Sequence, residues 1–293
     1  MNDTSIDAWM LGLNRHLTQI PPGGGRYSNG RPAFIAALTP QEWRLLNLQG
    51  IGGDFATIVA AAWEQDQGRF RALLLAYVRI ATLTGFASPP FDSRLCFTDP
   101  LLALAAGDEE TYKIQIPAAD DWDDPEDSSV ESIVLLVTKL MVTIEHGLSW
   151  PEVWRRFAER VLAGSGAFDR ALAETLIAFH TGGADSLTPF GKVAATFRRA
   201  NWARTRYGAL AGFPLLPVGI VELARRKNLA VTEDLAAMLP VTALAYRRVV
   251  VTDIPELPFR FPAELDFLNT LLANPETWPS LAAQLRVKWH APA

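Results

Sequence analysis

The chain is poor in cysteine and histidine, and that scarcity removes several kinds of chemistry. Among 293 residues there is one cysteine, Cys96. A lone thiol makes no intramolecular disulfide and no cysteine-based zinc site. A reducing cytosol suits such a chain. The four histidines, His16, His146, His180 and His290, lie far apart. None has the HExxH spacing that sets two imidazoles on one helix face. The stretch PPGGGRYSNGRP (21–32) is glycine-rich but lacks the Gly-Lys-Ser/Thr of a phosphate-binding loop. Its prolines and glycines specify an irregular connection.

Long apolar runs are also missing. The most apolar window, residues 130–144, is broken by Lys139. A bilayer-spanning helix needs about 20 apolar residues, so a buried core helix is expected there. The N-terminus, MNDTSIDAWMLGLNRHL, opens with an acid and is amphipathic. A secretory signal has a basic start and an uninterrupted apolar stretch, so none is expected. Strand patterning is confined to residues 249–252, too few for a sheet. Without alternating strands and helices, the α/β folds drop out.

What remains is helical. Hydrophobic residues make up 49% of the chain and charged residues 20%, the balance of a folded globule rather than a disordered chain. A globule of this mass buries about three-quarters of its unfolded surface. Ile6, Trp9, Leu13 and Leu17 recur at helical spacing. Thr39-Pro40 is a cap-then-proline helix start. Residues 52–67 and 69–84 read as a helical hairpin turning at Gly68. Asp99-Pro100 caps a helix over 101–106, and residues 107–111 form a turn with acids at the positive end of the next helix. Further helices are expected over 130–146, 152–163, 166–180, 188–207, 214–227, 232–239, 262–273 and 275–289. The class is all-α: about a dozen antiparallel helices in a compact array with solenoid-like pairs. A single helical domain over 1–293 is expected. Its candidate lobes, 1–117 and 128–293, are joined by an acidic loop.

That loop is the most unusual feature. The chain has 27 Lys+Arg against 32 Asp+Glu, a net charge of −5. Residues 108–131 hold ten acids and one base, Lys113, a net −9 that leaves +4 on the remainder. Asp120-Asp121-Trp122-Asp123-Asp124 formally matches the DDxxD pattern of class I terpene synthases, whose aspartates hold Mg²⁺ against a diphosphate. Pro117 and Pro125 favour a loop over a metal-binding helix face, and no second metal motif follows. Charge runs usually face water, but Trp122 among acids resembles an interface anchor with a charged rim. Asp120, Asp121, Trp122, Asp123, Asp124, Glu126 and Asp127 are therefore the candidate partner-binding residues.

A basic counterpart lies at 192–206, with Lys192, Arg198, Arg199, Arg204 and Arg206 interleaved by Phe197 and Trp202. Basic residues with aromatics bind single-stranded nucleic acid. However, Phe190, Val193, Phe197 and Ala200 share one stripe and are expected to face the core. The isoelectric point near 5.5 also argues against nucleic acid. Pairing with the acidic segment is the other reading of these arginines. His146 and His180 stand at helix C-termini, where the helix dipole favours a cationic imidazole. Cys96 reads as a small buried hydrophobe. Trp43, Trp63, Trp154 and Trp202 read as packing residues.

Three stretches resemble the all-helical immunity proteins of bacterial polymorphic-toxin systems, in particular the family numbered forty-nine. They are DPLLALAAGDEE (99–110), the acidic loop leading into a long apolar helix, and FPLLPVGIVELARRKNL (213–229) followed by Leu239-Pro240. The resemblance implies a cytoplasmic, non-enzymatic binder that neutralises a cognate protein toxin, with no cofactor, no metal and no membrane partner. It carries no catalytic residue to transfer. Two alternatives from the residues stay open. One is a helical Mg²⁺-dependent enzyme acting on a diphosphate. The other is a scaffold or regulator binding peptide or nucleic acid through 192–206.

Overall fold

A computed structural model of the chain describes residues 4–21, 31–48, 52–63, 66–88, 98–116, 132–199, 208–240 and 257–291. Within them the fold is all-α, with fifteen α-helices, short 3₁₀ turns and no strand. The first five are α1 (Thr4–Gln19), α2 (Pro32–Ala37), α3 (Pro40–Asn47), α4 (Gly52–Ala62) and α5 (Gln67–Ala87). Next come α6 (Thr98–Ala106), α7 (Glu109–Gln115), α8 (Ser132–His146), α9 (Glu152–Gly164), α10 (Ala167–His180) and α11 (Leu187–Thr196). The last four are α12 (Leu215–Arg226), α13 (Thr232–Ala237), α14 (Asp266–Ala273) and α15 (Trp278–His290).

The helices fall into two compact units. One comprises Met1–Ser93, Tyr207–Leu210 and Asp253–Ala293, and the other Arg94–Arg206 and Ala211–Thr252. The expected lobes part at the acidic loop. The units part at 93/94 and the chain returns to the first one later, so the acidic loop falls within the sequence of the second unit.

In the first unit α5 is the central helix. Phe70, Leu73, Leu74, Leu75, Val78 and Leu83 on it are buried, and it packs against α3, α4, α14 and α15. It is long and apolar enough to cross a membrane, but most of it is buried inside the protein. Its start differs from expectation. Asp66 accepts a hydrogen bond from the Arg69 amide and caps the helix, so Gly68 lies in the first turn instead of forming the bend. The α3 start is as the sequence indicates. Thr39 accepts from the Glu42 amide at 3.2 Å, and Glu42 accepts from the Thr39 amide at 2.7 Å. This reciprocal capping box satisfies two otherwise orphaned donors. The six-residue α2 was not foreseen. It follows the Gly-rich connection and is too short to show a periodicity.

In the second unit α8 and α10 supply much of the core. Leu135, Leu136, Leu140 and Met141 on α8, and Leu172, Leu176 and Phe179 on α10, are buried. α10 ends at His180, and two residues on Gly182 has a φ of +100°, a left-handed conformation that suits glycine. The expected helix over 188–207 is shorter. α11 stops at Thr196 and tightens into a 3₁₀ turn over Phe197–Arg199. α6 and α12 pack closely. A Cβ built on Gly219 of α12 would sit 2.1 Å from the Leu101 carbonyl oxygen of α6. Only glycine permits that approach.

Candidate functional site

The seven candidate partner-binding residues, Asp120, Asp121, Trp122, Asp123, Asp124, Glu126 and Asp127, lie outside the described residues, as do Cys96, Trp202, Arg204 and Arg206. The first three acids of the −9 segment are described, and they begin α7. Asp108 is fully buried and caps the helix. Its carboxylate accepts from the Thr111 amide at 3.2 Å and from the Thr111 hydroxyl at 2.7 Å. Glu109 is 62% exposed and pairs with Arg226 of α12 at 2.9 Å. Glu110 is exposed.

Arg226 leads to a polar hub where α7, α8 and α12 meet. Its centre is Glu145 on the last turn of α8, only 13% exposed. One carboxylate oxygen accepts from Arg226 Nη2 at 2.8 Å. The other accepts from Tyr112 Oη at 3.1 Å and Arg226 Nε at 3.3 Å, with Lys227 Nζ 2.8 Å away. Lys227 also donates to the Glu145 backbone carbonyl at 2.8 Å. The Arg226 guanidinium lies 5.3 Å from the centre of the Tyr112 ring.

The electrostatics follow from this geometry. Burial alone would raise the Glu145 pKa, but the hydrogen bonds from Arg226 and Lys227 outweigh it and bring it down to about 2. Tyr112 is pushed above its ordinary range, first by burial and then by the adjacent Glu145 charge. The Arg226 pKa rises, mainly through its hydrogen bond to Glu145. Glu145 thus stays ionised at neutral pH with both oxygens engaged. Its proton affinity is too low for a general base at neutral pH. The arrangement is a cross-link of three helices.

Sequence reasoning did not single out Glu145. The available signal was its position. A carboxylate on the last turn of a helix opposes the helix dipole and calls for a compensating cation. The Arg225-Arg226-Lys227 run, at the end of a second helix, supplies it.

His146 and His180 occupy the last turns of α8 and α10, as expected. His180 lies 6.3 Å from Trp150, whose ring neighbours Trp154 at 6.1 Å. Trp43 and Trp154 are buried packing residues, whereas Trp63 is half-buried. Lys139, in the middle of apolar α8, is buried with its ammonium 5.3 Å from the centre of the Trp154 ring. Phe190, Val193 and Phe197 are buried, while Lys192, Arg198 and Arg199 are exposed. The stripe and the basic face therefore separate as the spacing requires. Arg198 Nε donates to the Gly212 carbonyl at 3.1 Å. Among the described residues, no group of three or more His, Cys, Asp or Glu is gathered for a metal ion.

Comparison of the chain with protein-family models, with curated proteins and with solved structures gave no match in any of the three.

Proposed function

We propose that the chain is a binding protein of the immunity type, which neutralises a cognate protein toxin in the cytoplasm through Asp120, Asp121, Trp122, Asp123, Asp124, Glu126 and Asp127. The observation that carries this reading is how the chain's own bases are engaged. Arg225 holds Glu222 at 2.6 Å, and Arg226 and Lys227 hold Glu145 at 2.8 Å. Lys288 holds Glu42 at 2.6 Å and Arg260 holds Asp266 at 3.1 Å. Arg155 and Arg156 both lean on Glu152. Each of these bases has a carboxylate outside residues 117–131. The slightly basic remainder of the chain is thus partly neutralised by its own acids.

A dense negative segment suits a basic partner surface, such as the active site of a toxin that acts on nucleic acids or nucleotides. Opposite charge steers such an encounter towards ~10⁸–10⁹ M⁻¹s⁻¹ at low salt. Trp122 would then slow dissociation, since aromatic anchors dominate interface energies.

The test uses the product of the adjoining gene, expressed with and without this chain, with cell growth as the readout. The quadruple reversal of Asp120, Asp121, Asp123 and Asp124 to Lys should abolish protection while the thermal midpoint holds. Full protection by that variant would remove the segment from the mechanism. An adjoining product that is harmless alone and fails to bind the purified chain would remove the immunity reading.

A further inference from the structure

The geometry points to the Glu145–Arg226 pair as a positioning device. It fastens α7 to α8 and α12, and α7 undocks as a unit when the pair is broken while the rest of the second unit stays folded.

The first support is the composition of the docked face. α7 has seven residues, about 10 Å of helix, far below the length that is stable in water by itself. Surface helices are normally held by a stripe of Leu, Ile and Val. Here the buried residues are Thr111, Tyr112 and Gln115, preceded by buried Asp108. Ile114 is only half-buried, and Glu109, Glu110 and Lys113 face water. α7 packs along α6, and its one large apolar contribution is the fully buried Tyr112 ring, which is itself held at its hydroxyl by Glu145.

The second support is convergence. Two hydrogen bonds tie α7 side chains to other helices in this hub: Tyr112 Oη to Glu145, and Arg226 Nη1 to Glu109. The third tie is the Arg226 guanidinium over the Tyr112 ring. Every one of them ends on Glu145 or Arg226, and these two residues hold each other at 2.8 Å. Removing either leaves the other partly buried without its main partner and releases at least one end of α7. By contrast, α6 and α10 bury rows of Leu, Ala and Phe side chains. Local opening is drawn from such polar, thinly packed elements.

α7 is also the described helix that precedes residues 117–131, so its docking fixes where the chain enters that acidic stretch. The inference does not depend on which partner the stretch takes.

The test is native-state amide hydrogen exchange on the full chain, comparing wild type with E145Q, R226M and the milder Y112F. Amides of residues 112–116, held by bonds such as Tyr112 N–H to Asp108 at 3.0 Å, should lose protection about tenfold or more in E145Q and R226M. They should lose less in Y112F, which deletes a single hydroxyl. Protection in α6 and α10 should stay within about twofold of wild type. Alkaline absorbance titration gives an independent sign. If α7 stays docked in R226M, loss of the cation drives Tyr112 ionisation still higher. If α7 undocks, one additional tyrosine ionises in the ordinary range near 10, and it is missing from R226M/Y112F. Equal loss of protection across α6, α7 and α10 would overturn the inference, showing that the pair only stabilises the unit. So would unchanged α7 protection with a late Tyr112. Should E145Q and R226M fail to fold, Y112F and E109Q decide: loss confined to residues 112–116 supports the device, and its absence in both refutes it. No partner enters either readout, so the outcome is separate from that of the growth assay.

Discussion

Replacing Gly219 with alanine should destabilise the second unit, although alanine is the better helix former. A Cβ there would lie 2.1 Å from the Leu101 carbonyl oxygen, 2.8 Å from its carbonyl carbon and 3.1 Å from its Cα. All three are backbone atoms of α6, so no rotamer change relieves the clash. Reaching even 3.0 Å requires α6 and α12 to part by about 1 Å, a gap that forfeits a quarter to a half of each van der Waals contact across it. Buried apolar side chains dominate both helices, with Leu101, Leu102 and Leu104 on α6 and Leu216, Ile220 and Leu223 on α12. Overpacking of this kind costs about 3 kcal/mol, and the gain in helix propensity returns about 1 kcal/mol. The net loss is therefore about 2 kcal/mol, or a fall in midpoint of about 4–8 °C for a unit of this size.

Calorimetry and urea titration would measure it, with amide exchange in α6 and α12 to show which unit is affected. Gly191→Ala is the matched control. Its Cβ would lie 2.7 Å from Met238 Cε, the tip of a flexible and 41% exposed side chain that can swing aside. That variant should be neutral or slightly stabilising. A G219A protein as stable as wild type would mean that α6 and α12 are not in the backbone contact described.

Three further outcomes follow from single interactions. Glu145 sits near 2 in the folded protein against an ordinary 4.5, so its contribution is complete above pH 4.5 and is lost as pH falls towards 2, about 3 kcal/mol in all. Urea midpoints between pH 5 and 2 should fall more steeply for wild type than for E145Q, and parallel curves would contradict the assignment. Thr39→Ala removes half of the α3 capping box and should cost about 1 kcal/mol by urea titration. Asp108→Ala strands the buried Thr111 amide and hydroxyl and should cost about 2 kcal/mol, visible in the same assay.

The sequence was informative wherever a local rule decided the outcome. Thr39-Pro40 marks the α3 start, and residues 130–144 read as a buried helix because most of them are apolar. The all-α class follows from the same periodicities. The long-range polar contacts were not legible. Glu145 and Arg226 are 81 residues apart, Glu42 and Lys288 are 246 apart, and Arg79 reaches the Leu272 carbonyl across 193. Spacing within one helix says nothing about which helix will face it. Gly68 misled for a related reason. A glycine suggests a bend, but Asp66 two residues earlier offers a capping carboxylate, and a first-turn glycine is cheap once the cap is made.

The hub also changes the meaning of the acidic segment. Counted along the sequence, residues 108–131 carry −9. Asp108 is buried as a helix cap and Glu109 is paired with Arg226, so these two acids serve the fold. Glu109 is in addition 4.0 Å from Lys113, the segment's one base. Beyond Glu110, the remaining acids of the segment are Asp120, Asp121, Asp123, Asp124, Glu126, Asp127 and Glu131, seven acids with no base between them in sequence. A field from charges packed into twelve residues is stronger close by, and more steeply screened by salt, than the same charge spread over twenty-four. The association rate with a basic partner should therefore depend on salt mainly through residues 120–131. Reversals at Asp108 or Glu109 would report on folding instead, and a test of binding that includes them would confuse the two.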